Sequence, residues 1–118
     1  MEIRIRQAEP EDLHELARLF DAYRQFYDQP SDVRAAREFL HERMENRQSL
    51  VIVAEGEESL VGFSQLYPMF SSVRLAPIWI LNDLYVDADM RRLGIGRLLL
   101  EASAAAARGA GASRIVLE

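Results

Sequence analysis

In "EIRIRQA", Ile3 and Ile5 alternate with charged neighbours, and this period of two predicts a first strand over residues 2–7. The period then lengthens. Through "EPEDLHELARLFDAYRQFY", Leu13, Leu16, Ala17, Leu19, Phe20, Tyr23 and Tyr27 recur at helical spacing, with Pro10 and nearby acids suited to a first turn. "QPSD" breaks the pattern, and Ser31 or Asp32 can cap a second helix with Val33, Ala36, Phe39, Leu40 and Met44 inward. "SLVIVAEG" reads as a strand, "EGEES" as a turn, and "LVGFSQLYPMFSS" as its hairpin partner. Pro68 falls late in that partner, where a bulge or an edge tolerates it.

"IWILNDLYV" predicts a fourth strand buried on both faces. A third helix follows "RRLGIGR" and runs to about Arg108, with Gly109 or Gly111 as a left-handed cap. "SRIVLE" begins a fifth strand. Strand, helix and strand at 79–86, 96–108 and 113–117 form a right-handed crossover, so the last strand should lie parallel to the fourth. The predicted order is β-α-α-β-β-β-α-β, an α/β (α+β) arrangement read as a single domain over residues 1–118.

Composition narrows the function classes. The 118 residues are 49% apolar, enough for one core. No apolar run approaches the roughly 18 residues of a membrane span, and the charged N-terminus lacks the apolar core of a signal peptide. A cytoplasmic location fits these features. There is no cysteine, which excludes disulfides, thiolate metal sites and a cysteine nucleophile. His14 and His41 sit among charges with no metal-ligand spacing, so no metal is expected. A net charge of −5 argues against general nucleic-acid binding. Against that acidic background Arg91, Arg92 and Arg97 stand out.

They bracket two glycines at the mouth of a helix. A helix N-terminus exposes unpaired N–H groups and the positive end of its dipole, and glycine lets a phosphate oxygen reach them. The expected ligand is a small molecule bearing a diphosphate. A P-loop is excluded, because its GxxxxGK[ST] spacing is absent and the chain holds no lysine. A dinucleotide loop needs GxGxxG; Gly94 and Gly96 fit, Leu99 occupies the third position, and Glu118 lies at a suitable distance for a ribose-binding acid. A plain tight turn is a further alternative. The pattern [RQ]xxGxG is matched without a gap by Arg91, Gly94 and Gly96.

That stretch resembles the acetyl-CoA-binding motif of the GNAT acetyltransferase superfamily, and the element order and the "IRIRQAEPEDL" start resemble the family too. "LNDLYV" followed by "RRLGIG", and more loosely "LFDAYRQFY", is similar to the polyamine and diamine acetyltransferases. The resemblance implies a mixed, mostly antiparallel sheet whose parallel strands four and five splay apart. It also implies a helix and further strands beyond residue 118, so the chain is expected to be truncated at its C-terminus.

The implied activity is transfer of an acetyl group from acetyl-CoA to a primary amine of a small molecule by direct attack. A non-catalytic CoA-binding or regulatory domain is the alternative. Leu84, Tyr85 and Val86 would line the pantetheine arm, and an N–H near Leu84 would polarise the thioester carbonyl. Arg91, Arg92, Leu93, Gly94, Ile95, Gly96 and Arg97 would wrap the diphosphate. Asp83 is the candidate base, and strand alternation would let only one of Asn82 and Asp83 face the cleft. Asn82 aligns with an acid of the polyamine enzymes, which weakens a polyamine reading. Tyr27 and Asp28, beside Phe26, would border the acceptor amine. The family's tyrosine acid would lie beyond residue 118, and Tyr23, Tyr27, Tyr67 and Tyr85 do not match its position. A homodimer is the expected assembly.

Overall fold

Arg6 joins the first strand to the first helix. In the computed structural model, which describes residues 2–112 and 114–117, its guanidinium donates to both carboxylate oxygens of Asp12 at 2.7 and 2.8 Å. Asp12 in turn accepts the Glu9 N–H at 2.7 Å. These bonds connect β1 (Arg4–Gln7) to a single 3-10 turn at Pro10–Asp12 and then to α1 (Leu13–Phe26). Helix α2 (Val33–Glu45) starts where the Asp32 side chain accepts the Ala35 N–H at 3.0 Å. The strands β2 (Leu50–Glu55), β3 (Leu60–Ser71) and β4 (Ala76–Val86) follow, then α3 (Ile95–Gly109) and β5 (Ile115–Leu117).

The five strands form one sheet in sequence order, antiparallel from β1 to β4 and parallel between β4 and β5. The predicted element order and the parallel last strand are both present. On one side of the sheet, Leu13, Leu16, Ala17 and Phe20 of α1 and Ala36 and Leu40 of α2 pack on Val51, Val53 and Phe63. Ile95 and Leu99 of α3 pack with Ile52, Ala54 and Val61. Gly62 lets α3 come close, since a Cβ there would lie 3.0 Å from the Tyr85 carbonyl and 3.2 Å from Leu99. Ser103 donates to the Leu99 carbonyl at 2.7 Å, so in its buried contact with Ser64 at 2.6 Å the Ser64 hydroxyl is the donor.

Three sequence expectations change. Val33 lies exposed rather than inward, and Phe39 stacks on Phe20 of the core at 5.9 Å but stays 40% exposed, because α2 fully buries only the stripe through Ala36 and Leu40. Strand β4 is not buried on both faces: Asn82 and Leu84 are exposed, and β5 pairs only with Trp79–Leu81. Strict alternation at Asn82 and Asp83 also fails, because the register passes from Leu66↔Leu81 to Gln65↔Asp83. Asn82 is therefore the extra residue of a bulge. Pro68 sits past the last β2 pair, Leu50↔Leu66, where its missing N–H costs no ladder bond on that side. The left-handed glycine after α3 is Gly111 (φ 89°). Among the described residues no helix is long and apolar enough to cross a membrane.

Candidate active site

Beyond Leu81, β4 has no partner on its outer edge among the described residues. A cleft of about 360 Å³ opens there. Its walls are the end of α1 (Tyr23, Phe26, Tyr27), the end of β4 (Leu84, Tyr85, Val86), and the glycine loop with Met90, Arg91, Arg92, Gly94, Ile95 and Gly96. Eight of the ten expected cofactor residues thus meet in one concavity together with Tyr27. Leu93 and Arg97 are not on its wall; Arg97, 82% exposed at its side chain, reaches Glu101 at 3.5 Å along α3. Asp28 is also off the wall, exposed in a left-handed turn (φ 64°) that ends α1.

The loop is built for close approach. Arg92 (φ 68°) and Gly94 (φ 81°) are both left-handed, and Gly94 is the N-cap of α3 with no side-chain cap bond. The leading N–H groups of α3 are left for a ligand. A Cβ on Gly94 would meet nothing within 4 Å, and one on Gly96 only the Val86 methyl at 4.0 Å. The glycines therefore keep open the space above a helix N-terminus, as an anionic group requires. Arg91 is engaged elsewhere. Its Nε donates to the Val86 carbonyl at 2.9 Å, and its guanidinium stacks over Phe26 and Tyr85 at 5.6 and 5.4 Å. Positive charge for a diphosphate would come from Arg92 and Arg97.

Asp83 lies behind the cleft, 7% exposed and not on its wall. Its carboxylate accepts three hydrogen bonds, from Tyr23 Oη at 2.9 Å, Gln65 Nε2 at 3.0 Å and the bulged Asn82 Nδ2 at 3.1 Å. Among the described residues no cation lies within ion-pair distance of it. Burial, reinforced by the bond to Asp83, raises the Tyr23 phenol above the ordinary tyrosine range. Burial and the charge of Asp83 push Tyr67 up to about 12. Both phenols therefore keep their protons at neutral pH. Tyr23 escaped the sequence reading, since at helical spacing it counted as core; a hydroxyl on the face that meets the fourth strand was the available signal.

The sequence matches the acetyltransferase (GNAT) family over residues 13–118. It is 45% identical over 114 residues to the uncharacterized N-acetyltransferase YhfO of Bacillus subtilis strain 168, covering 97% of this chain and 76% of that protein. A solved structure of a probable acetyltransferase has a TM-score of 0.90 at 41% identity, covering 98% of this chain and 78% of the other. The ribosomal-protein-alanine N-acetyltransferase of Brucella melitensis biovar Abortus 2308 has a TM-score of 0.86 at 25% identity, covering 99% and 80%. The chain belongs to the GNAT acetyltransferase family, and is an acetyltransferase in fold and sequence alike. The dinucleotide alternative lacks its setting, because the glycine loop here follows an antiparallel strand and a 3-10 turn rather than opening a doubly wound parallel sheet.

Proposed function

We propose that the cleft binds acetyl-CoA and that the chain transfers the acetyl group to a primary amine of a small molecule. The observation that carries this reading is the meeting of an open glycine turn at a helix N-terminus with a stretch of β4 that lacks a second partner strand. When bound, acetyl-CoA supplies an activated thioester carbonyl. The N–H groups at Gly94–Gly96, with Arg92 and Arg97, hold the diphosphate. Leu84, Tyr85 and Val86 offer backbone and apolar surface to the pantetheine arm, and an N–H near Leu84 polarises the carbonyl. Tyr27 and Phe26 face the acceptor across the cleft. Asp83 is the base that takes the ammonium proton. A second copy of the chain would find an apolar face on the β3–β4 hairpin. There Phe70, Val73 and Leu75 are 83, 96 and 91% exposed, and Arg74 is the one charge between Leu66 and Leu81.

One observation favours a second reading, binding without catalysis: the carboxylate of Asp83 already accepts three hydrogen bonds and is absent from the cleft wall. Calorimetric titration with acetyl-CoA, with NAD as control, tests the cofactor. Binding near micromolar, about −8 kcal/mol, is expected, and Gly96→Glu should abolish it by placing bulk and negative charge at the helix N-terminus. Normal binding by that variant would overturn the loop assignment. Acetyl transfer to putrescine, compared with transfer to a peptide with N-terminal alanine, then separates a small-molecule acceptor from a protein one. Tight binding with no transfer to either favours the second reading.

A further inference from the structure

Resting on that reading of the cleft, one gap remains: the base is buried and the amine is not. Tyr23 spans the gap. Tyr23 lines the cleft, and its hydroxyl donates to Asp83 Oδ1 at 2.9 Å. We propose that Tyr23 is the proton relay of this site, carrying the proton of an acceptor ammonium from the cleft to the carboxylate of Asp83.

Position and rigidity support the assignment. The Tyr23 ring is packed among Phe20, Tyr27, Phe63 and Tyr85, with centroids 5.3 to 6.1 Å away. One side chain of α1, Tyr27 just past its end, one of β3 and one of β4 thereby fix where the hydroxyl points. Gln65, fully buried, holds the other oxygen, Oδ2, and Asn82 shares Oδ1 with Tyr23. They are positioning residues: each acts on Asp83 and neither lines the cleft.

The occupied lone pairs of Asp83 do not obstruct this route. A carboxylate offers about four acceptor sites, and three are used. The relayed proton arrives along the Tyr23 bond already in place, so no new site is needed.

The step balances. One N–H bond of the ammonium breaks, its electron pair stays on nitrogen as the nucleophilic lone pair, and the proton goes to Tyr23 Oη. Tyr23 simultaneously gives its own proton to Asp83 Oδ1. Ammonium and carboxylate become amine and carboxylic acid, and Tyr23 ends as the phenol it began. A phenolate never forms, which suits a hydroxyl whose environment disfavours ionisation. The acceptor class is thereby sharpened to amines that arrive protonated, the ordinary state of an aliphatic amine at neutral pH.

Tyr23→Phe tests the relay, because it removes one hydroxyl and keeps the packed ring. With putrescine or an alanyl peptide as probe, kcat should fall on the order of 10-fold or more at about pH 7. Acetyl-CoA affinity by calorimetry should stay within about twofold of wild type. The deficit should shrink toward about pH 10, where the free amine supplies itself. The titratable and charged groups around the pair are Tyr27 just past α1, Tyr67 of β3, Tyr85 of β4 and, through these, Arg43 of α2 and Arg91 of the glycine loop, and none of these is altered by the substitution. Adding Tyr23→Phe to Asp83→Asn should cost less than about threefold more than Asp83→Asn alone, since both act on one proton. Wild-type kcat in Tyr23→Phe, a deficit that is the same at every pH, or losses that multiply would each overturn the relay.

A second arm needs no acceptor. The ultraviolet titration of the phenols should show two raised tyrosines, Tyr23 and Tyr67; the Tyr23 component should be missing in Tyr23→Phe, and both should shift down in Asp83→Asn. An unchanged titration in Asp83→Asn would overturn the coupling. Failure of the wild type to bind acetyl-CoA is a separate result, visible before any tyrosine is changed; it would overturn the cleft reading and the relay with it.

Discussion

Two aspartates with nearly the same burial do different work. Asp21 is 3% exposed and Asp83 7%. Each accepts hydrogen bonds from three residues and neither is ion-paired among the described residues. The partners of Asp21 are the Ser31 hydroxyl at 2.7 Å, the Asp32 N–H at 2.7 Å and Gln25 Nε2 at 3.1 Å. All lie within 11 residues, so Asp21 is a clasp on the turn between α1 and α2. The partners of Asp83 include Tyr23, 60 residues away, and the bonds span α1, β3 and β4. A local set of donors closes a loop; a distant set places a charge behind an opening in the sheet. Burial of a carboxylate alone therefore says little about function. Where its donors come from says more.

The comparison can be broken by substitution. Asp21→Ala should have the largest effect, about 3 kcal/mol of stability and roughly 10 °C in Tm, because it strands buried donors. Acetyl-CoA affinity of the folded fraction should not change. A near-wild-type melting curve would show that the clasp is dispensable. Asp83→Asn should do the opposite: turnover falls on the order of 100-fold, about 2.8 kcal/mol, with little loss of stability. The amide still accepts from Tyr23, and Gln65 can rotate to offer its Oε1, which lacks a donor in this structure, to the new N–H. Unchanged turnover, measured by thiol release, would remove Asp83 as the base.

Ser31→Ala takes one bond from the clasp and should cost about 1 kcal/mol by urea unfolding. A loss equal to that of Asp21→Ala would place the whole clasp on that hydroxyl. The smallest effect belongs to a third aspartate. The Arg6 guanidinium beside Asp12 holds its carboxyl below the usual range. Its contribution is present above about pH 4, where the unfolded carboxylate is already ionised, and is lost as pH falls through the depressed folded value. Asp12→Asn should flatten the stability profile below about pH 4 by up to about 1 kcal/mol. A profile identical to wild type there would show that the pair contributes nothing.

Much of this arrangement was legible in the chain. The change from alternating to helical spacing marked each element, because both kinds of element must bury one face. Gly94 and Gly96, set between an apolar strand and a helix, marked the candidate ligand loop, because bare backbone beside three arginines suits an anionic group. Other features were not legible. The periodicity of "DVRAAREFL" counts Val33 and Phe39 with the core, and only the packing of α2 shows that Ala36 and Leu40 suffice. Arg91 reads as a phosphate ligand, and its place on Val86 and two rings depends on how the loop folds back. The polar pair in "IWILNDLYV" does not by itself specify the bulge at Asn82, because the bulge arises from pairing with β3.

The sequence by itself determined the order of elements, the parallel return of the last strand and the glycine loop at a helix mouth. These follow from local rules: side-chain period, turn chemistry and the handedness of the crossover. Only the tertiary structure decided which tyrosine meets Asp83 and which edge of β4 stays open. The Tyr23–Asp83 bond joins residues 60 positions apart. A hydrogen bond of about 3 Å between them depends on how α1 settles on the sheet, and side-chain periodicity does not encode that placement.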